Sequence, residues 1–208
     1  MTPFEHQLIL KYIVVFGTLF NDIVIQRGSE SDPDIQKFKV PIEFGPREKM
    51  LAMTTAKPTD LKRKAMQLPR MSYEMTGMSF DSTRKMIRTN EIRRSGKTFL
   101  RGAPWNINFQ LNIITKNMLD ATKIAEQILF MFQPDYPVDV KLLKDIDHID
   151  RIAIDFAGIQ HQDEYEGDFE TVRRTVWTLD FVMHAWLYGP ISNQSGQIKK
   201  VIVDYHVS

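Results

Sequence analysis

Pro104-Trp105-Asn106-Ile107-Asn108-Phe109-Gln110-Leu111-Asn112-Ile113 is the stretch on which the fold turns. Trp105, Ile107, Phe109, Leu111 and Ile113 alternate without a fault with Asn106, Asn108, Gln110 and Asn112, and a period of two belongs to an extended strand. One face is predicted to be core and the other polar. Immediately downstream, Met118, Ala121, Ile124, Ala125, Ile128, Leu129 and Phe132 recur at spacings of three and four, which predicts a helix capped by Asn117 or Asp120 and ended before Pro134. A strand followed by a helix that lies on one side of its sheet is the unit around which the rest is arranged.

Upstream, Met71, Tyr73 and Met75 alternate with Ser72, Glu74 and Thr76, a second half-buried strand in which Gly77 marks a bulge. Phe4, Leu8, Tyr12, Phe16 and Leu19 or Phe20 share one face of an N-terminal helix that starts at Thr2-Pro3 and ends at Asn21-Asp22. Ile23 to Ile25 and Phe38 to Ile42 read as a hairpin, Arg47 to Met53 as a short helix, and Thr54 to Arg63 as a loop. Downstream, Ile149 to Ile159 and Thr171 to Tyr188 are long strands separated by an acidic turn, Gln162 to Asp168, and Ile198 to His206 is a last strand. Strands that mostly follow one another, with two clear helices, predict an α+β fold, an antiparallel or mixed β-sheet packed by a few helices. Residues 1–208 are expected to form a single domain, from which residues 81–102 leave as a long, exposed and extended excursion.

The composition is that of an ordinary soluble chain of 208 residues, 43% hydrophobic and 25% charged. With 27 Lys+Arg against 26 Asp+Glu, the formal net charge of +1 argues against a surface that attracts phosphate everywhere. Cysteine is absent, which excludes disulfides and thiol chemistry and agrees with assembly in a reducing host cytoplasm. The apolar run Tyr12 to Phe20 is broken by Gly17 and Thr18 and is shorter than the ~20 residues of a membrane span.

Motifs for chemistry are weak. Gly96-Lys97-Thr98 has Glu91 where a phosphate-binding loop needs its first glycine. Asp145, Asp147, His148 and Asp150, and His161, Asp163, Glu164, Glu166 and Asp168, offer oxygen and imidazole ligands without the spacing of a calcium loop, and read as solvated turns. The five histidines are scattered, and His184, inside an apolar strand, reads as a hydrogen-bonded core or interface residue. No catalytic, cofactor or metal residue is assigned. The strongest charge asymmetry is Arg84, Lys85, Arg88, Arg93, Arg94, Lys97 and Arg101 against the single acid Glu91. With Phe99 and Trp105 nearby it would suit a phosphate backbone and stacked bases, but the near-neutral total charge favours a partner protein's carboxylates.

Three segments in order resemble the tail sheath stabiliser and completion (tail terminator) family of T-even-type contractile-tailed bacteriophages. They are Leu68-Pro69-Arg70-Met71-Ser72-Tyr73-Glu74; Pro104-Trp105 through Ala125-Glu126-Gln127-Ile128-Leu129 to Phe132-Gln133-Pro134; and Arg173-Arg174-Thr175-Val176-Trp177-Thr178-Leu179-Asp180-Phe181 with Ala185-Trp186-Leu187-Tyr188-Gly189-Pro190. Gly17-Thr18-Leu19-Phe20-Asn21-Asp22-Ile23 and Val40-Pro41-Ile42 extend the likeness over most of residues 4 to 190.

The resemblance implies a structural virion protein without catalytic residues or cofactors. Its members would form a six-fold ring on the last rings of tail tube and sheath, stabilise the extended sheath, and present the opposite face to neck (head completion) proteins at the tail–neck junction. Implied partners are further copies of the chain, the tail sheath protein, and the tail tube or tube-terminator protein. DNA passes through the lumen without specific binding, and no membrane is involved. Candidate partner-binding residues are the basic set above together with Lys199, Lys200 and Tyr205, whose alternating segment offers a strand edge. The competing function classes are a metal-dependent enzyme that uses the acid clusters and a DNA-binding module that uses the basic segment.

Overall fold

In the computed structural model, residues 5–27, 36–55, 68–87, 90–94, 97–143, 146, 148–166 and 172–193 are described. Helix α1 (Leu8–Leu19) is followed by strands β1 (Val24–Arg27), β2 (Gln36–Lys39) and β3 (Ile42–Phe44), helix α2 (Arg47–Thr55) and strand β4 (Arg70–Phe80). Then come β5 (Glu91–Arg94), β6 (Lys97–Leu100), β7 (Ala103–Thr115), α3 (Met118–Met131), β8 (Asp135–Lys141), β9 (Ile149–Glu166), β10 (Val172–Leu187) and β11 (Ile191–Asn193). The main sheet has six strands in the order β3-β4-β7-β10-β9-β8. All its pairs are antiparallel except β3 with β4, whose parallel pairing needs a long crossover that includes α2. The α+β class with a mixed sheet is as the alternation and helical stripes predict.

The strand over Trp105 to Ile113 lies at the heart of this sheet. Residues alternate along it so that cross-strand rungs unite like side chains: Met75, Phe109, Phe181 and Phe156 form one rung, and Met78, Ile107, Met183 and Ile154 another. Onto this apolar face the N-terminal helix lays Leu8, Tyr12 and Phe16, with Phe20 just past its end, all buried. Phe16 stacks on Phe109 at 4.4 Å between ring centroids and meets Phe181 edge-on at 5.4 Å. Burying each such ring stabilises by about 1.5–3 kcal/mol, and each well-oriented pair adds about 0.5–1.5 kcal/mol. Ala121, Ile124, Ala125 and Ile128 of α3 complete the layer, whereas Met118 and Leu129, included in the predicted stripe, are exposed at the helix margin.

The β1–β2 hairpin is clasped to α3 by side chains. Asp120, 2% exposed in the first turn, pairs with Arg27, and Lys123 and Gln127 donate to the carbonyls of Gln26 and Val24 at 2.8 and 3.0 Å. The expected hairpin is thus present, but Ile42 belongs to the separate strand β3, because Pro41 interrupts the run and Ile42 pairs with Met71. The bulge predicted at Gly77 is a register shift between Met75 and Gly77.

Three readings need correction. Gln162 to Glu166 are not a turn but the end of β9, paired with β10 from Val176 to Val172. Backbone pairing is indifferent to side-chain charge, and the partners Val172, Thr175 and Val176 are strong strand formers. The polar face of the central strands is not wholly open: Ser72 and Asn112 are completely buried, and Met50 of α2 packs on Ile114 and Val176 at that end. The basic segment, expected as an exposed and extended excursion, is partly folded into a three-stranded sheet ordered β11-β6-β5. Of the loop over Thr54 to Arg63, Thr54 and Thr55 close α2 and the rest lies outside the described residues, as does the strand Ile198 to His206.

Candidate functional site

The basic segment is fastened to the sheet at both its ends. At the first, Asp81 is buried beside the end of β4 and accepts from the Thr83 amide at 2.9 Å, the Thr83 hydroxyl at 2.5 Å and Arg84 Nε at 2.6 Å. Hydrogen bonds from Arg84 and then Thr83 hold its carboxyl well below the usual carboxylate range. Arg84 also donates to the Trp105 carbonyl at 3.3 Å and to Asn106 Oδ1 at 3.0 Å, and it lies over the Trp186 ring at 5.2 Å. Asn106 Oδ1 also contacts His184 Nδ1 at 2.9 Å, and His184 Nε2 meets Asp155 Oδ2 at 2.7 Å. One chain of contacts thereby runs from Asp81 across β7 and β10 to β9.

At the other end the anchor is aromatic. Phe99 of β6 is 2% exposed and meets Tyr188 edge-on at 5.8 Å and His148 at 6.1 Å. Tyr188 donates to Asp150 Oδ1 at 2.6 Å, and His148 Nε2 lies 3.1 Å from the same oxygen. Burial, reinforced by this carboxylate, raises the Tyr188 phenol far above its ordinary range. Tyr12 donates to the Trp186 carbonyl at 2.6 Å and accepts from the Trp186 amide at 3.0 Å, and burial pushes its phenol up in the same way. Gly102 belongs to this packing: an added Cβ would lie 3.1 Å from the Tyr188 ring and 3.2 Å from Trp186.

The predicted basic residues therefore divide. Arg84 is half-buried and folded inward, whereas Lys85, Arg93 and Arg101 are exposed. Arg93 lies 3.5 Å from Glu91. Arg94 and Lys97 stand opposite one another in the β5–β6 register, and Lys97 is half-buried. Arg88, Lys199, Lys200 and Tyr205 lie outside the described residues. Phe99 is enclosed by the protein and offers no platform for a base.

Of the two acid clusters, His148 and Asp150 come together with Tyr188, while Asp145 and Asp147 lie outside the described residues. His161, Asp163, Glu164 and Glu166 are spread along β9, where neighbours alternate between faces, and Asp168 is outside the described residues. Among the described residues no group of three or more His, Asp or Glu side chains is placed to hold a metal ion. Asp81, Asp155 and Tyr188 were not singled out by the sequence, since such contacts join positions far apart in the chain. His184 is hydrogen-bonded through both ring nitrogens, in keeping with its reading as a structural residue.

This geometry arranges surfaces and fastens them. A protein-family model described as the T4-like virus Myoviridae tail sheath stabiliser matches residues 3–208. The tail completion protein gp15 of Enterobacteria phage T4 is 28% identical over 218 residues, which cover 95% of this chain and 76% of that protein. A match of this extent takes in the buried helix, the central strands and the fastened basic segment together, and the chain belongs to the T4-like tail sheath stabiliser family of structural proteins of the phage tail.

Proposed function

We propose that this protein caps the head-proximal end of the tail tube and contractile sheath as a ring of six copies, at the tail–neck junction of the virion. The carrying observation is the family match through residues 3–208, which includes the charged segments as well as the core. The ring stabilises the extended sheath by linkage: it binds the assembled terminal ring and not free sheath subunits. A ligand at 100 times its dissociation constant contributes about 2.7 kcal/mol to the state it binds. The opposite face of the ring docks the neck proteins, and DNA passes through the lumen without specific contacts.

The reading is of a non-enzymatic protein. His184, Asp155, Asp150 and Tyr188, the groups best suited to acid–base work, are engaged in fastening strands to one another. Residues 1–208 act as one unit, with Lys85, Arg93 and Arg101 as its exposed basic contacts to tail components. Removing the protein from a phage that assembles contractile tails, then adding back the purified chain, tests this by electron microscopy. The expected result is sheaths that shorten or fall away without the protein, and extended sheaths with six-fold density at the head-proximal end once it is restored. Sheaths that stay extended without it, or density at the opposite end, overturn the reading.

A further inference from the structure

Helix α3 is apolar on both sides. Ala121, Ile124, Ala125 and Ile128 face the sheet, and the outer side, where a surface helix ordinarily carries polar residues, exposes Met118, Leu119, Leu129 and Phe130. Phe130 is 77% exposed and forms the wall between two grooves. The larger, of about 860 Å³, runs between α3 and β1 and is lined by Leu19, Val24 and Met131. The smaller, of about 510 Å³, lies over Leu129 and Trp177. Glu126 lines both, one helical turn before Phe130, and Lys123 on the larger groove is bonded to the Gln26 carbonyl. Single exposed apolar residues are ordinary, but a ridge of them between two grooves marks a contact site.

The same chain has a projection of complementary character. Past the Asp81–Arg84 anchor, Lys85, Met86 and Ile87 are exposed, Ile87 to 79%. Ile87 and Phe130 are the two most exposed large apolar side chains among the described residues, one with a cation beside it in the chain and the other with a carboxylate. Arg84 reaches Asn106 Oδ1 and lies over Trp186. Asn106 points away from the face that carries Ile107 and Phe109, so the loop begins on the side of the sheet that α3 does not cover. Three residues of extended chain span about 10 Å, about the spacing of two packed layers, and Ile87 therefore cannot reach the outer side of its own α3. A contact between loop and groove joins unlike surfaces of two copies. Each copy keeps its other surface for the next, and the series ends when the rotation closes it into a ring.

We propose that the Lys85–Ile87 loop of one copy docks on α3 of a second copy, with Ile87 in the groove between α3 and β1 beside Phe130, and Lys85 against Glu126. A second copy is the partner because the chain supplies both halves in equal number, with opposite charge beside each apolar anchor. The proposal rests on the ring reading for the number of copies alone.

The chain has no cysteine, so single-cysteine variants of the full chain read the contact directly. Met86→Cys and Val24→Cys, mixed and oxidised, should form a disulfide-linked pair that neither forms by itself, and the double variant should give a ladder of multimers. In sedimentation velocity, Ile87→Asp should weaken self-association at least about thirtyfold, as the loss of a buried anchor does, with an unchanged melting temperature. Lys85→Glu and Glu126→Lys should each weaken it roughly tenfold by setting like charges together. Lys85→Glu/Glu126→Lys restores an opposite pair at every contact and should recover the association. A wild type that stays monomeric when concentrated overturns the contact, as do Ile87→Asp assembling like the wild type, reversals whose effects simply add, and Met86→Cys cross-linking equally well by itself. Six-copy rings without the 86–24 cross-link remove this contact and leave the ring standing. Cross-linked closed assemblies of another copy number support the contact and remove the six-fold ring.

Discussion

Gly17 sits on the buried side of α1, and replacing it with alanine pits two well-characterised effects against each other. Alanine is favoured over glycine inside a helix by about 1 kcal/mol. The added methyl group would lie 2.3 Å from Tyr73 Oη, 2.6 Å from Cζ and 2.9 Å from Cε1. Tyr73 has little room to retreat: it is 8% exposed, with Phe16 on one side at 5.7 Å and Phe44 edge-on at 5.4 Å. Overpacking of this kind costs about 1–3 kcal/mol, and three contacts inside van der Waals distance place Gly17→Ala at the upper end. The net loss should be ~1–2 kcal/mol, which for a chain of this size lowers the melting temperature by ~2–8 °C. Urea unfolding should show a lower midpoint with an unchanged slope. In a Tyr73→Leu background the penalty should vanish, the signature of direct coupling. A melting temperature that stays level or rises, or an equal loss in both backgrounds, refutes the reasoning.

Phe99→Ala should cost about 3–5 kcal/mol as a large buried side chain and should speed proteolysis within residues 81–102, where Phe99 packs against Tyr188 and His148; equal cleavage of variant and wild type would remove its role as an anchor. Tyr12 and Tyr188 have raised folded-state values, so their contribution is complete below the ordinary tyrosine value near 10 and is lost as pH rises through the folded ones; urea midpoints should fall above pH 10, and more shallowly in Tyr12→Phe/Tyr188→Phe. Asp81 is shifted the other way, so its contribution is present above the ordinary value of 3.8 and lost as pH falls below it. The stability gap between wild type and Asp81→Asn should be constant from pH 7 to 5 and should close in more acid solution; a gap that widens there contradicts the assignment.

The central strand and the two long helices were legible because their patterns are local: alternation from Trp105 to Ile113, and a three-four stripe from Leu8 to Phe20 and from Ala121 to Ile128. Strand β8, with Tyr136, Val138 and Val140 half-buried between Asp135, Pro137, Asp139 and Lys141, alternates as clearly, yet its proline and acids favour a loop reading. The end of β9 reads as an acidic turn for the opposite reason. Gln162 to Glu166 carry no apolar alternation, and only the pairing with Val172 to Val176 makes them a strand. Arg84 looked like one exposed cation among several, because its partners Asp81 and Asn106 are brought to it by the fold and not by spacing. Charge runs show where a surface lies but not which members of the run fasten it.

That division bears on how a tail protein stays soluble before it assembles. The β8 edge of the main sheet carries Pro137, which donates no backbone hydrogen bond, and the exposed Asp139–Arg151 pair at 2.9 Å beside it. On the polar face, Gln110 donates to Asp180 at 3.1 Å and Thr178 to Asn112 at 3.0 Å. Groups satisfied within the chain gain little from casual contacts.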